Sequence, residues 1–236
     1  WTEITEGQPI GTIYGYKTDG IVQLGEDLSG IPFFAGKTLR HGDRKYVNKN
    51  DDNVINEEDL FILGNANPDF TFGFNNTFNF KLRNNSSLGL TVYLQGAVGN
   101  EIVNFNKFSL ESFDGYKNNS TAALNRWTPD NPTNLYPRAT TKTAGNILSD
   151  HYVEDGSYLR IKDITLSYTF PANIIKKFYC EGLTIFAGLK NIHTFTDYSG
   201  YDPEVSRFAN NNLSMGADYG SYPMSKSYEF GLRMNF

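Results

Sequence analysis

From Asp69 to Lys81 the chain reads DFTFGFNNTFNFK, and nothing else in its 236 residues narrows the possible folds as sharply. Phe70, Phe72, Phe74, Phe78 and Phe80 share one parity, and Thr71, Gly73, Asn75, Thr77 and Asn79 share the other. Successive side chains of an extended strand point to opposite faces, so this segment reads as a strand with one greasy face and one polar face. The same alternation returns four times. Leu88, Leu90, Val92, Leu94 and Val98 oppose Thr91, Tyr93 and Gln95. Ile164, Leu166, Tyr168 and Phe170 oppose Thr165, Ser167 and Thr169. Leu183, Ile185, Ala187 and Leu189 oppose Thr184, Phe186, Gly188 and Lys190. Tyr228, Phe230, Leu232, Met234 and Phe236 oppose Glu229, Gly231, Arg233 and Asn235. Helical spacing never persists beyond a turn or two, the best short case being Asn173 to Tyr179. The expected fold class is all-β, with about five strands of the length that crosses a bilayer as part of a barrel, roughly 9–11 residues or more.

The connections between these strands are of two kinds. Those at 83–87 and 171–182 are short. Those at 105–150 and 197–224 are long and rich in Asn, Gly, Ser, Thr and Pro. Short and long connections alternate, as in transmembrane barrels with tight turns at one end and long loops at the other. A soluble sandwich has no reason to put its long loops at one end, so the pattern favours a membrane barrel over a sandwich. Five strands alone form an open sheet with two edges. In hydrocarbon, two rows of unpaired N–H and C=O groups cost tens of kcal/mol, so such strands either close with others or are not in lipid. Together with Trp1 as the first residue, this leads to the expectation that the chain is the C-terminal part of a longer polypeptide.

One strand breaks phase. Leu159 and Ile161 are apolar on odd positions, whereas Ile164 onward is apolar on even ones. A period-2 strand cannot change phase without an extra residue, which predicts a β-bulge near Lys162–Asp163. The alternative is that the upper part of this strand stands above the lipid, where neither face needs to be apolar.

Composition closes off other classes. A net charge of −5, from 21 Lys+Arg against 26 Asp+Glu, argues against a nucleic-acid partner, which would need clustered cations. Aromatic residues at 15% argue against disorder. Cys180 is alone, so neither an intramolecular disulfide nor a thiolate metal cluster is available. No run approaches the ~18 apolar residues of a spanning helix.

Several segments together resemble one family. They are GTIYGYKTDGIVQ (Gly11–Gln23), GDRKYVNKNDDNVINEEDLFILGNANPDFTFGFNNTF (Gly42–Phe78), RWTPDNPTNLYPR (Arg126–Arg138), VEDGSYLRIKDITLSYTFP (Val153–Pro171), KNIHTFTDYSGYDPEV (Lys190–Val205) and SYEFGLRMNF (Ser227–Phe236). In order and nearly end to end, they resemble the C-terminal third or so of the SusC/RagA family of TonB-dependent outer-membrane transporters of Bacteroidetes. The resemblance implies a plugged barrel of about 22 strands in the outer membrane. It also implies TonB contacted through an N-terminal plug that is not in this chain, and a SusD-like surface lipoprotein as partner. The cargo it implies is oligosaccharides or peptides. It would place 105–150 and 197–224 outside the cell, and 83–87 and 171–182 in the periplasm. On this reading residues 1–68 form an extracellular loop region and residues 69–236 the C-terminal barrel strands and loops. The function is import, and no enzymatic reaction is expected. The alternative is a secreted β-rich glycan-binding or adhesion module with a calcium loop.

Three sets of residues are candidates for function. Tyr228, Phe230, Leu232, Met234 and Phe236 resemble the terminal β-signal read by the outer-membrane assembly machinery, which pairs with an edge strand. They equally suit a lipid-facing last strand, and both readings can hold. Residues 48–59 align with the twelve-residue EF-hand loop. Asn48, Asn50 and Asp52 would take positions 1, 3 and 5, the Val54 carbonyl position 7, and Asp59 the closing position, with Ile55 anchoring the loop inward. Asn48 in place of Asp, Asn53 in place of the turn Gly and Asp59 in place of Glu depart from the pattern, so a possible Ca²⁺ is set against an Asn/Asp-rich turn with no metal. The aromatic residues Trp127, Tyr136, Tyr198, Tyr201 and Tyr219 could stack on sugar rings, with loop packing or an interfacial girdle as the plainer reading. His41, His151 and His193 lack ligand spacing. The acidic pairs Glu154/Asp155 and Asp202/Glu204 carry no expectation of catalysis.

Overall fold

The structure, a computed structural model, describes residues 5–113, 117–140, 147–176, 179–205 and 215–236. The chain divides into two compact units and passes repeatedly from one to the other. Residues 68–99, 156–198 and 222–236 make a sheet unit; residues 1–67, 100–155 and 199–221 make a loop unit. In chain order the strands are β1 (Thr12–Gly15), β2 (Thr18–Ile21), β3 (Phe33–Phe34), β4 (Arg44–Tyr46), β5 (Val54–Ile55), β6 (Phe61–Asn65), β7 (Phe70–Lys81), β8 (Ser87–Val98), β9 (Glu101–Asn104), β10 (Val153–Asp155), β11 (Tyr158–Thr169), β12 (Gly182–Thr196), β13 (Ala217–Asp218) and β14 (Ser227–Asn235). Two short helices, α1 (Phe105–Leu110) and α2 (Ala172–Ile175), accompany them.

The sheet unit is a five-stranded antiparallel meander in the order β14-β12-β11-β8-β7. Its five strands are the five alternating segments of the sequence. Its registers line up the greasy positions in rows. Phe80, Leu88, Tyr168, Ile185 and Leu232 are successive partners across the sheet, and so are Phe78, Leu90, Leu166, Ala187 and Phe230. The phenylalanines of β7 are exposed, as are Leu166, Ile185, Phe230 and Leu232. They are not sandwiched inside a water-soluble core. The opposite face is polar in matching rows: Thr77, Thr91, Thr165, Gly188 and Glu229, then Lys81, Ser87, Thr169, Thr184 and Arg233. Cross-strand pairs tie this face together: Thr77 to Thr91 at 3.3 Å, Thr169 to Thr184 at 3.0 Å and Lys190 to Glu229 at 2.5 Å. Gly231 lies under the Phe186 ring, where a Cβ would collide with it; the missing side chain makes room for the aromatic one.

The phase change in β11 is resolved as a bulge. Both neighbours of β11 show the register shift between Ile161 and Asp163. Leu94, Ile161 and His193 pair across the sheet, and so do Val92, Ile164 and Leu189. Between these two rows lie Tyr93 on β8, Lys162 and Asp163 on β11, and Lys190, Asn191 and Ile192 on β12. The extra residue keeps Leu159 and Ile161 on the same face as Ile164 and Leu166, as a strand of period 2 requires. Asn191 takes up the added length with a left-handed backbone, φ 51°, and its side-chain carboxamide donates to the Ser225 carbonyl at 3.1 Å.

The short connections lie at one end of the sheet. The β7–β8 turn is a single 3-10 turn at Arg83–Asn85, where Asn84 and Asn85 both adopt positive φ. The β11–β12 connection holds α2, which overlaps the Asn173–Tyr179 stretch of helical spacing but starts one residue earlier and ends at Ile175. The long connections leave from the other end. They are loops by composition, yet much of them is packed into the loop unit.

That unit has an ordinary interior. Ile13, Ile21, Val22, Ile55, Ile102, Val103, Phe113 and Tyr152 are fully or almost fully buried. Short strands frame it: β1 with β6, β2 with β4, β3 parallel to β5, and β10-β9-β13. Tyr16, Phe34 and Tyr46 meet edge to face at 5.3–5.9 Å. The GDR and YPR segments are knitted together. Gly42, at φ 87°, accepts from the Arg138 amide at 2.8 Å and leaves space against which the Trp127 ring packs. Beside it the Arg138 guanidinium pairs with the buried Asp43 carboxylate at 2.7 Å.

Candidate functional site

A cleft of about 440 Å³ opens in the loop unit. Its floor is α1, which begins where β9 ends because the Asn104 side chain caps it, accepting from the Lys107 amide at 2.9 Å. Lys107, Leu110 and Glu111 project from this turn and line the cleft. The opposite wall brings Ser120 and Tyr136 from one long connection and Ser199 and Tyr201 from the other. Residues about a hundred positions apart in sequence are thus collected around one hollow.

Both ionisable side chains that line the cleft have partners. Lys107 meets Glu154 at 3.2 Å, and Glu111 meets His151 at 2.8 Å. Glu154 also accepts from the Ser199 amide and hydroxyl, both at 2.9 Å. Burial pushes the Glu154 carboxyl up. The two Ser199 bonds and the Lys107 ammonium outweigh this and hold it below its ordinary value. Behind the wall a run of rings is in contact: Tyr219 stacks on Phe105 at 4.2 Å, then Phe105 meets Phe108, Phe108 meets Tyr152, and Tyr152 meets His151. Tyr136 closes the run against His151 at 5.9 Å and Phe113 at 6.1 Å.

Of the five aromatic candidates, Tyr136 and Tyr201 line this cleft. Tyr201 stands at its rim, 77% exposed. Tyr219 is stacked on Phe105. Trp127 is buried, with its indole N–H donating to Gln23 at 2.9 Å, and Tyr198, in the sheet unit, is buried as well. The polar partners Asn104, Lys107, Glu111 and Ser199 have no sequence signature; only the fold brings them together.

The 48–59 loop is held by its own side-chain-to-backbone hydrogen bonds. Asn48, Asn50 and Asp52 each accept a backbone N–H two or three residues ahead, at 3.0, 3.2 and 2.9 Å. Asn53 supplies the left-handed turn at φ 66°, and Ile55 is buried in β5. Asp59 is 0% exposed; its two oxygens accept from the Lys49 and Asn56 amides, the second completing a capping box with Asn56. Among the described residues no group of three or more His, Cys, Asp or Glu side chains could hold a metal, so any cation here would lean on amide and carbonyl oxygens. The acidic pairs are structural: Asp202 accepts from the Glu204 amide at 2.9 Å, and Glu154 serves the cleft wall. Cys180 is buried. In the terminal stretch Tyr228, Phe230, Leu232 and Met234 lie on the exposed greasy face of β14 opposite Leu189, Ala187, Ile185 and Leu183, and Phe236 follows, exposed.

No protein-family model matches the chain. TonB-dependent receptor P3 of Formosa agariphila is 33% identical over 237 residues, which cover 99% of this chain and 23% of that receptor. TonB-dependent receptor SusC of Bacteroides thetaiotaomicron is 26% identical over 200 residues, covering 81% of this chain and 17% of SusC. Among solved structures, the RagAB peptide importer in its closed-closed state matches all of this chain over 25% of its own, with a TM-score of 0.67 at 20% identity. The chain belongs to the SusC/RagA type of TonB-dependent transporter. It spans about a quarter of the length of the curated relatives it matches, somewhat less than the third expected. The five-stranded meander is accordingly a stretch of a TonB-dependent barrel wall. By name these relatives are TonB-dependent receptors and a peptide importer.

Proposed function

We propose that this chain supplies wall strands and cell-surface loops to an outer-membrane importer. The importer is energised through TonB and moves oligosaccharides or other large nutrients, peptides among them. The observation that carries this is the sheet itself: a continuous exposed greasy face backed by a polar one, in a chain whose relatives are TonB-dependent. The greasy rows face acyl tails and the polar rows face a wet interior, which is how a barrel wall satisfies both solvents. The long connections and residues 1–68 lie outside the cell; 83–87 and 171–182 lie in the periplasm. Upstream parts of the whole protein, including a plug, engage TonB, and a SusD-like lipoprotein covers the outer face.

The test is made on the full-length protein in cells. Fractionation should find it in the outer membrane, and uptake of its cargo should stop when the proton gradient is collapsed. A monodisperse preparation without detergent would favour a secreted module instead. The terminal residues act as the assembly signal on this reading, so removing Phe236 should lower the outer-membrane level of the full-length protein. The Asn48–Asp59 loop is proposed as a weak calcium site, with two carboxylates where stronger sites have more. Calorimetry should show binding on the order of millimolar, and no heat at that concentration would leave the loop as a turn held by its own hydrogen bonds.

A further inference from the structure

The α1 cleft has a chemistry that selects among the cargo classes named above. We infer that it is a subsite for an uncharged, hydroxyl-rich ring, a neutral saccharide unit, rather than for an anionic ligand. The inference rests on the import reading only in taking the cleft as a station on the cargo's route.

Three features lead there. The first is size: about 440 Å³ is ample for one or two sugar rings and falls in the range of small-molecule pockets. The second is the state of its charges. A ligand carboxylate would have to displace Glu154 from Lys107. Both members of the Lys107–Glu154 pair are largely buried, so that exchange strands a poorly solvated carboxylate, and the cleft discriminates against the carboxylate end of a free peptide and against uronic acids. The third is what remains to meet a ligand. Tyr136 and Tyr201 offer ring faces and hydroxyls that make no hydrogen bond among the described residues, and Asn106 adds a carboxamide. Amphipathic rings beside neutral donors and acceptors match a pyranose, which has an apolar face and a rim of hydroxyls.

The test is equilibrium binding to the purified full-length transporter in detergent. The probes are neutral oligosaccharides (maltoheptaose, mannohexaose, xylohexaose), an oligogalacturonate, and an octapeptide with free termini. A neutral member should bind. The Asn106→Ala/Tyr201→Ala variant should weaken it about tenfold or more, the scale of one or two lost hydrogen bonds, with an unchanged thermal midpoint. Glu154→Gln, which releases Lys107 while keeping an acceptor for Ser199, should bring in oligogalacturonate binding that the unaltered protein lacks. The proposal is overturned if the unaltered protein prefers the oligogalacturonate or the peptide, if no neutral probe binds, or if neutral binding survives the double substitution. Uptake in cells separates the two readings. Gradient-dependent uptake with undiminished binding by the double variant sinks the cleft and leaves import standing. Gradient-independent uptake with cleft-dependent binding does the reverse.

Discussion

Ile102 and Phe230 are both apolar residues in the middle of strands, yet Ile102 is 1% exposed and Phe230 is 83% exposed. The loop unit buries Ile13, Ile21, Val22, Ile55, Ile102, Val103 and Phe113 as a protein in water does. The sheet unit is turned inside out. Among the largest fully buried side chains of the described residues, the one that belongs to the sheet is Arg160, at 1% exposure, with its guanidinium over the Tyr158 ring and bonded to Thr194 at 2.8 Å. One polypeptide thus obeys two solvent rules, and each rule makes its own residues sensitive to a different kind of change.

The strongest way to break the contrast is to delete Lys162. Without the extra residue, Leu159 and Ile161 turn to the polar face and Arg160 turns to the greasy one. The full-length protein should then fail to reach the outer membrane as a folded, heat-modifiable barrel; normal levels would mean the two faces are not held to different solvents. Next in size is Ile102→Ala in the loop unit. A cavity there should cost ~2–5 kcal/mol and show as early protease cleavage within 100–155. In the sheet the order of sensitivities reverses. Leu232→Arg should cost ~2–4 kcal/mol of barrel stability in lipid, whereas Leu232→Ala should cost less than the Ile102 truncation, because lipid fills the gap. Equal effects of the two Leu232 changes would contradict its lipid-facing place. The last effect is a pH response confined to the loop unit. Burial, chiefly, with Glu111 adding to it and Arg44 opposing, pushes the Tyr152 phenol up from 10.0 to about 12. A raised folded pKa stabilises fully below the unfolded value and loses that contribution above it. Between pH 10 and about 12 the unit should therefore lose about 1.4 kcal/mol per pH unit from this group. Phenolate absorbance in the Tyr152→Phe variant against the unaltered protein checks it.

The sheet was legible in the sequence because its signal is dense. Strands of 9 to 15 residues repeat a period-2 pattern often enough that even one inserted residue, Lys162, shows as a phase error. The loop unit was not legible, and the reason is length. Strands such as β1, β9, β10 and β13 hold two to four residues and pair across long gaps, Val103 with both Val153 and Ala217. No local period survives in so few residues. The cleft shared that fate: Tyr136 and Tyr201 could be named as aromatic loop residues, but the pairing of Lys107 with Glu154 and of Glu111 with His151 depends on contacts between segments 40 or more positions apart. The 48–59 loop lies between these cases, since its Asx turns are local and its pattern therefore readable.

The bulge carries one more consequence. Between the same two rows the backbone runs through one residue on β8, two on β11 and three on β12. At roughly 3.3 Å of contour per residue, the longer paths cannot lie flat beside the shorter one. The excess goes into stagger, and in a closed cylinder stagger sets lean and girth. The inserted residues therefore offset the strands above that belt from their neighbours relative to the strands below it.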